Sequence, residues 1–101
     1  MKMNSDNAIE KEIQEKGLTA PRVSPDHIDS VIVAEEYFTA SGVLTVCVLT
    51  LKNGFTVTGE SACASPEIFN AELGQSISKN KARDKIWALE SYLLKQRLHD
   101  A

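Results

Sequence analysis

Cysteine is scarce in this sequence: the 101 residues include two, Cys47 and Cys63. They form no C-x-x-C pair, and the chain has no cysteine and histidine pattern with the spacing of a metal site. The pattern argues against a disulfide scaffold and against a structural metal. We expect both thiols to be reduced and buried, as in a cytoplasmic protein.

Long apolar runs and an excess of positive charge are also missing. The longest apolar run, near Val43 to Leu51, is far too short to span a membrane, and the segment before Gly17 lacks the apolar core of a secretory signal. The net charge is −3 and the isoelectric point about 5.3, whereas general DNA and RNA binders usually carry a basic excess. We therefore expect neither a membrane nor a nucleic acid as the partner.

The residues that usually carry catalysis are few. His27 and His99 stand outside any motif, and Cys63, within "SACAS", is of a kind more often buried as a small apolar residue than used as a nucleophile. The acidic residues show neither the paired spacing of a general acid and base nor a calcium loop. These observations predict a protein that is not an enzyme and that needs no cofactor.

The composition is that of a small globular domain. Hydrophobic residues make up 43% of the chain and charged residues 25%, and the length suits one domain. We place that domain at residues 21–101 and predict a variable helix or tail in residues 1–20, where apolar anchors are few. A domain of this size has a modest core, which oligomerisation would extend, so we expect a homo-oligomer.

The first signals after the N-terminal segment predict a short helix and a β-sheet. Ser24 and Pro25 suit the cap and first position of a helix that runs to about Ile32. Strands are predicted at Tyr37 to Thr39, at Val43 to Leu51 and at Phe55 to Glu60, because β-branched and aromatic residues are enriched there. Asn53-Gly54 predicts a hairpin with a type I′ turn between the last two.

The strand from Val43 to Leu51 is apolar on both faces. A strand of this kind is covered on both sides. In a chain this short we expect another subunit to supply one of the two covers, as in an intertwined dimer.

The C-terminal part is predicted to be a long helical segment packed on the short antiparallel sheet, which makes the fold class α+β. Ser65 suits its cap and Pro66 its first position. Helical spacing predicts the residues that meet the core. These are Phe69, Leu73 and Ile77, then Ile86, Leu89 and Leu93, with Trp87, Leu94 and Leu98 on a neighbouring stripe.

Two polar residues interrupt these apolar stripes. Asn80 continues the line of Phe69, Leu73 and Ile77, and a buried amide without partners costs roughly 1–3 kcal/mol. Asn80 therefore either bonds the backbone of the sheet or a neighbouring subunit, or contacts the edge of a ligand. Arg97 stands among leucines and is either a favourable cation near the helix C-terminus or a clamp on a phosphate.

A basic cluster and a run of small residues complete the set of candidates. The cluster "KNKARDK", residues 79–85, is either a solvated helix face with local pairing or a phosphate-binding patch. The small residues from Gly59 to Ser65 let another group approach the backbone. That segment is either a plain connector or one wall of a pocket at a subunit boundary.

Three stretches carry a resemblance to a known family: "TVCVLTLKNGFTVTGESAC", "SPEIFNAELG" and "KIWALESYLL". They cover about Thr45 to Leu98, and "APRVSPDHIDSVI" also fits. On these residues the chain resembles a small phage protein family typed by genes of enterobacterial podophages. That family looks like the sponge proteins that counter the bacterial Thoeris defence system.

The resemblance implies a phage anti-defence protein in the host cytoplasm. Such sponges bind cyclic ADP-ribose isomers, and related ones bind the cyclic oligonucleotides of the CBASS system, in each case without cleaving the signal. They resemble intertwined dimers, sometimes assembled further, with ligand pockets between subunits.

The ligand-binding residues that the resemblance implies here are Phe69, Asn80 and Arg97. An aromatic ring can stack on adenine, an amide can contact a base or ribose edge, and an arginine can pair with a pyrophosphate. The alternative function is a small phage protein that binds nucleic acid or a host factor through the basic cluster.

Overall fold

The computed structural model describes residues 2–17 and 20–101. A three-stranded antiparallel sheet and a long C-terminal helix dominate it, which confirms the predicted α+β class. In chain order the elements are α1 (Lys2–Glu15), α2 (Pro25–Ser30), β1 (Ile32–Ala40), β2 (Leu44–Leu51), β3 (Thr56–Ala62), a 3₁₀ helix (Pro66–Ile68) and α3 (Ala71–Asp100).

The sheet has the order β1-β2-β3, and two tight turns connect its strands. In the predicted hairpin, the Gly54 N–H donates to the Leu51 carbonyl at 2.8 Å, and Gly54 has a φ of 89°. A type I′ turn would also need a positive φ at Asn53, and among the described non-glycine residues Ser41 alone has one. The hairpin is therefore confirmed, but its turn is a three-residue loop that ends on a left-handed glycine.

One face of the sheet is packed against helices, and the other face is more exposed. Along β2 the residues facing α3 are buried, from Thr45 to Leu51, while Leu44, Val46 and Val48 on the opposite face are half-buried. Helices α2 and α3 pack against the first face and form the core there. The core residues are Ile28, Val31, Cys47, Leu49, Leu51, Val57, Ala82 and Ile86.

The long helix begins later than predicted. Ser65 caps the 3₁₀ helix by accepting a hydrogen bond from the Glu67 N–H at 3.3 Å, and Phe69 has an extended backbone. Asn70 caps α3, because its side-chain oxygen accepts from the Leu73 N–H at 2.9 Å. The prediction that the helix starts at Ser65 and Pro66 was wrong: two caps lie close together, and the second begins the α-helix.

The face of α3 that meets the sheet was also predicted wrongly. Leu73, expected in the core, is 54% exposed, whereas the buried residues at the start of the helix are Gly74, Ser78 and Ala82. A Cβ on Gly59 of β3 would overlap the backbone of Ser78 and Ala82. The helix therefore lies so close to the strand that only small residues fit between them. This explains why the segment of small residues from Gly59 to Ser65 begins with a glycine.

Candidate functional site

The larger of two cavities that bear on the site predictions lies between the β2–β3 hairpin and the C-terminal half of α3. It is a groove of about 580 Å³, within the roughly 300–1,000 Å³ usual for ligand pockets. We call it the hairpin groove. Its lining residues are His27, Val31, Leu51, Lys52, Asn53, Phe55, Ala88, Leu89, Glu90, Tyr92, Leu93 and Arg97.

Two aromatic side chains of the hairpin groove come from its two separate walls. Phe55 belongs to the hairpin and is 56% exposed, and Tyr92 belongs to α3 and is 70% exposed. Large apolar side chains this exposed are available to a planar ligand. Neither ring was predicted from the sequence to contact a ligand. The available signal was Phe55, a large aromatic residue placed directly after the Asn53-Gly54 turn, where an exposed position was to be expected.

The charged groups at the groove are mostly cationic. Lys52 and Arg97 are exposed among its lining residues. His27 Nε2 lies 2.6 Å from Glu90 Oε1, so this carboxylate already has a partner at the groove wall. Exposed guanidinium and ammonium groups beside apolar walls suit a ligand with a planar body and a phosphate.

A second, smaller cavity of about 250 Å³ lies at the start of α3. Phe69 lines it, together with Ser61, Ala62 and Cys63 from the segment of small residues. The Cys63 thiol donates to the carbonyls of Val43 and Ser65. The small residues thus line a cavity. That this cavity lies at a boundary between subunits remains a prediction.

The three ligand-binding residues implied by the sequence lie apart in a single chain. Arg97 lines the hairpin groove, Phe69 lines the smaller cavity, and Asn80 is half-buried in α3 and lines neither. A rise of 1.5 Å per residue separates Asn80 from Arg97 by about 25 Å along the helix. Within one chain these residues cannot contact one small ligand together.

Two of the four cations of the basic cluster form ion pairs with residues of other elements. Lys79 Nζ lies 2.7 Å from Glu35 Oε2 of β1. The buried Arg83 donates to Asp29 Oδ1 at 2.7 Å and to the Pro25 carbonyl at 3.3 Å, which ties α3 to α2. The remaining cations, Lys81 and Lys85, are exposed, and the cluster therefore presents a weaker phosphate patch than its sequence suggests.

The titrating side chain with the most strongly shifted pKa is Tyr37, a half-buried residue of β1 that packs against the core. Burial, more than the neighbouring Cys47 and Glu35, raises the pKa of Tyr37 to about 12. Burial also raises the pKa of the Cys47 thiol. Both groups are held in their neutral, protonated forms, and a neutral buried thiol is a poor nucleophile.

The described residues hold neither a candidate metal-ion cluster nor a candidate membrane-spanning helix. Within residues 2–17 and 20–101, no three His, Cys, Asp or Glu side chains are grouped as a metal ion would require. Over the same part of the chain, no helix combines the length and the apolar character needed to cross a membrane.

Comparison with known proteins gives one match. The model of the phage protein family described as N4 Gp49/phage Sf6 gene 66 matches residues 23–98, which is more than half of the chain. No curated protein and no solved structure matches the chain.

Proposed function

We propose that this chain, which belongs to the N4 Gp49/phage Sf6 gene 66 family of phage proteins, binds a nucleotide immune signal and sequesters it without cleaving it. The signal would be a cyclic ADP-ribose isomer or a cyclic oligonucleotide in the host cytoplasm. The observation that carries the proposal is the hairpin groove, where exposed aromatic rings and cations line one cavity of about 580 Å³.

The aromatic walls suit a nucleobase. Phe55 and Tyr92 belong to different elements that bound the same groove, so a base between them would contact a ring on either side. Stacking of a base on an aromatic side chain is worth roughly 1–3 kcal/mol. Two such contacts would supply much of the affinity that a sequestering protein needs.

The cations suit the pyrophosphate or phosphodiester of the same ligand. Arg97 and Lys52 lie at the groove, and a guanidinium binds phosphate oxygens through two parallel N–H donors. Of the three residues implied by the sequence, Arg97 is the one that this site uses. The acidic net charge of −3 would oppose a polyanion such as DNA more than a small ligand with few phosphates.

Isothermal titration of the purified protein with cyclic ADP-ribose isomers and a panel of cyclic di- and trinucleotides tests the proposal. The complex is then denatured and its nucleotide analysed by chromatography. We expect saturable binding of at least one panel member and recovery of that nucleotide intact. Recovery of a cleaved product would mean an enzyme, and no binding to any member would overturn the proposed function.

Substitutions locate the site. Phe55→Ala and Arg97→Ala should each weaken binding by about 5- to 150-fold, since each removes a contact worth roughly 1–3 kcal/mol. Ile68→Ala and Lys81→Ala are matched controls, because both residues are exposed and lie outside the hairpin groove. Loss of binding in Phe69→Ala and Asn80→Ala instead would move the site to the start of α3.

The alternative function is tested with the same protein. Binding to nucleic acid would appear as a gel shift that weakens steeply with salt. It should then depend on Lys81 and Lys85, the exposed cations of the basic cluster.

A further inference from the structure

One acidic side chain lies in the wall of the hairpin groove. Among the described residues that line the groove, Glu90 alone is acidic, and the cations Lys52 and Arg97 line it as well. The side chain of Glu90 is 12% exposed, so it is held in the wall and does not extend into solvent. A carboxylate repels phosphate, so the pairing of a phosphate with Lys52 and Arg97 gives Glu90 no role.

His27 holds one oxygen of this carboxylate. Its Nε2 atom lies 2.6 Å from Glu90 Oε1, and this contact joins α2 to α3. A carboxylate accepts hydrogen bonds through both oxygens, and Glu90 Oε2 has no partner within residues 2–17 and 20–101. One oxygen therefore orients the group, and the other is available to a ligand in the groove.

The side-chain carbonyl of a second lining residue is already bonded. Asn53 Oδ1 accepts a hydrogen bond from the Phe55 N–H at 3.0 Å, which stabilises the hairpin turn. A hydrogen bond to an ionised acceptor is also stronger than one between neutral groups. A donor on a bound ligand would therefore find its best acceptor at Glu90 Oε2.

The order of lining side chains along α3 corresponds to the order of groups in a nucleotide. Glu90, Leu93 and Arg97 are three and four residues apart and share one face of the helix, and Tyr92 lines the groove between them. Glu90 and Arg97 are about 10 Å apart along the axis. In a nucleotide the base lies between its own hydrogen-bonding edge and the phosphate. A ligand with a phosphate at Arg97 and its base beside Tyr92 therefore directs the edge of that base to Glu90.

We propose that Glu90 determines the specificity of the hairpin groove by accepting a hydrogen bond, through Oε2, from the exocyclic amino group of a nucleobase. The inference rests on the proposed function and narrows its ligand to a cyclic nucleotide with an amino-bearing base. Adenine, guanine and cytosine carry such a group, and hypoxanthine and uracil do not. A carbonyl oxygen opposite Glu90 would leave two acceptors facing each other without a proton between them.

The sugar is the other donor of a nucleotide, but its position differs. Ribose hydroxyl groups lie between the base and the phosphate. In the same orientation of the ligand they would lie between Tyr92 and Arg97, whereas Glu90 is on the far side of Tyr92. The edge of the base is therefore the donor that Glu90 suits.

Matched ligands test this selection in the wild type. Cyclic di-IMP, whose bases are hypoxanthine, lacks the amino groups of cyclic di-AMP and of cyclic di-GMP, and each cyclic ADP-ribose isomer is compared with its own hypoxanthine counterpart. In isothermal titration we expect at least one amino-bearing ligand to bind about 10- to 150-fold more tightly than its hypoxanthine counterpart, the effect of one hydrogen bond to a charged group. The pair that shows this preference identifies the base as adenine or guanine.

Glu90→Gln separates selection of the base from a structural role. The glutamine oxygen still accepts from His27, and its NH₂ group replaces Oε2 and donates to the ligand. We expect the preference for the amino-bearing ligand to disappear or to reverse. If Glu90 only joined α2 to α3, the affinities for both members of a pair would change by the same factor.

Glu36→Gln is the matched control for the loss of one negative charge. Glu36 is exposed and lies outside the groove, so this variant should keep the wild-type preference. Circular dichroism of both variants must match the wild type. The comparison of matched ligands in the wild type does not depend on the folding of any variant.

Several results would overturn the inference while the wild type still binds a nucleotide and the proposed function stands. Equal affinities within every pair would remove the selection by an amino group, and a preference that survives Glu90→Gln would assign it to another residue. Equal affinities within a pair, with weaker binding of the 2′-deoxy counterpart, would assign Glu90 to the sugar. A wild type that binds no member of the panel would overturn the proposed function and this inference together.

Discussion

Thr45 buries a hydroxyl group that has no hydrogen-bond partner within the part of the chain that the structure describes. It is 1% exposed and lies beneath Gly74 of α3, where a Cβ would come within 2.6 Å of its Oγ1 atom. A buried hydroxyl without a partner costs about 1–3 kcal/mol in desolvation. The close approach of α3 therefore carries an energetic cost at this residue.

Thr45→Val should increase the free energy of unfolding by about 1 kcal/mol, because valine has the same shape and no hydroxyl to desolvate. The measurement is urea unfolding followed by the fluorescence of Trp87, the one tryptophan of the chain. Thr58→Val, on the face of the sheet that α2 and α3 do not cover, is the control for the β-propensity of valine. A clear loss of stability in Thr45→Val alone would show that the hydroxyl has a favourable partner.

Ionisation of Tyr37 makes the free energy of unfolding depend on pH above about pH 10. Its pKa is raised to about 12 because burial disfavours the phenolate, with smaller contributions from Cys47 and Glu35. A raised pKa in the folded state means that this stabilisation is complete below the unfolded value near pH 10 and is lost as the pH rises from 10 towards 12. The raised pKa of Cys47 acts in the same direction.

We therefore expect the urea midpoint of the wild type to fall between about pH 9 and about pH 11.5. Tyr37→Phe has no phenol to ionise, and its midpoint should fall less over the same range. Equal slopes for the two proteins would mean that Tyr37 ionises as readily in the folded chain as in the unfolded one.

At the scale of elements, the main feature is the close packing of α3 on β3. Long helices usually meet a sheet through leucine and isoleucine, and helical spacing predicted that Leu73 and Ile77 would do so. Instead Gly74, Ser78 and Ala82 face the sheet, opposite Gly59. Spacing by four residues is common to both sets, so periodicity alone could not decide which stripe is buried.

Gly59→Ala should destabilise the protein by about 3 kcal/mol or more, because the new methyl group overlaps the backbone of Ser78 and Ala82, which cannot move cheaply. Gly74→Ala should cost less, since the methyl group meets the side chain of Thr45 and alanine favours a helix. Chemical denaturation of both variants gives the comparison. Equal and small effects would show that α3 can shift away from the sheet.

At the scale of the whole molecule, the N-terminal segment stands apart from the core. Among the side chains that the structure describes, the core residues run from Ile28 to Ile86, and none belongs to α1. The connection described for α1 is a pair of contacts at 2.6 Å from Arg22 to Glu10, both partly exposed. A partly exposed ion pair of this kind stabilises a fold only weakly, because solvent screens the two charges.

Removal of residues 1–20 should therefore lower the melting temperature by no more than about 5 °C, and Arg22→Ala in the full chain should reproduce most of that change. Thermal unfolding followed by circular dichroism measures both. A truncated protein that fails to fold would contradict the placement of the domain at residues 21–101.

The sequence alone was sufficient for the features that depend on neighbours along the chain. The enrichment in β-branched and aromatic residues, the Asn53-Gly54 turn and the Ser24-Pro25 start of α2 predicted the α+β order, because these signals act over a few residues. The family was also visible from "TVCVLTLKNGFTVTGESAC" and the two other quoted stretches.

Tertiary structure alone decided which surfaces are buried and which residues share a cavity. Phe55 and Tyr92 stand far apart in the chain and line one groove because α3 runs back along the sheet to the hairpin. Phe69 and Arg97, grouped from the sequence, lie far apart, because Phe69 precedes the start of α3 and Arg97 belongs to its last turn. The physical reason is that residue spacing determines a position along an element, whereas contacts between elements depend on how closely two backbones approach, and here Gly59 and Gly74 control that distance.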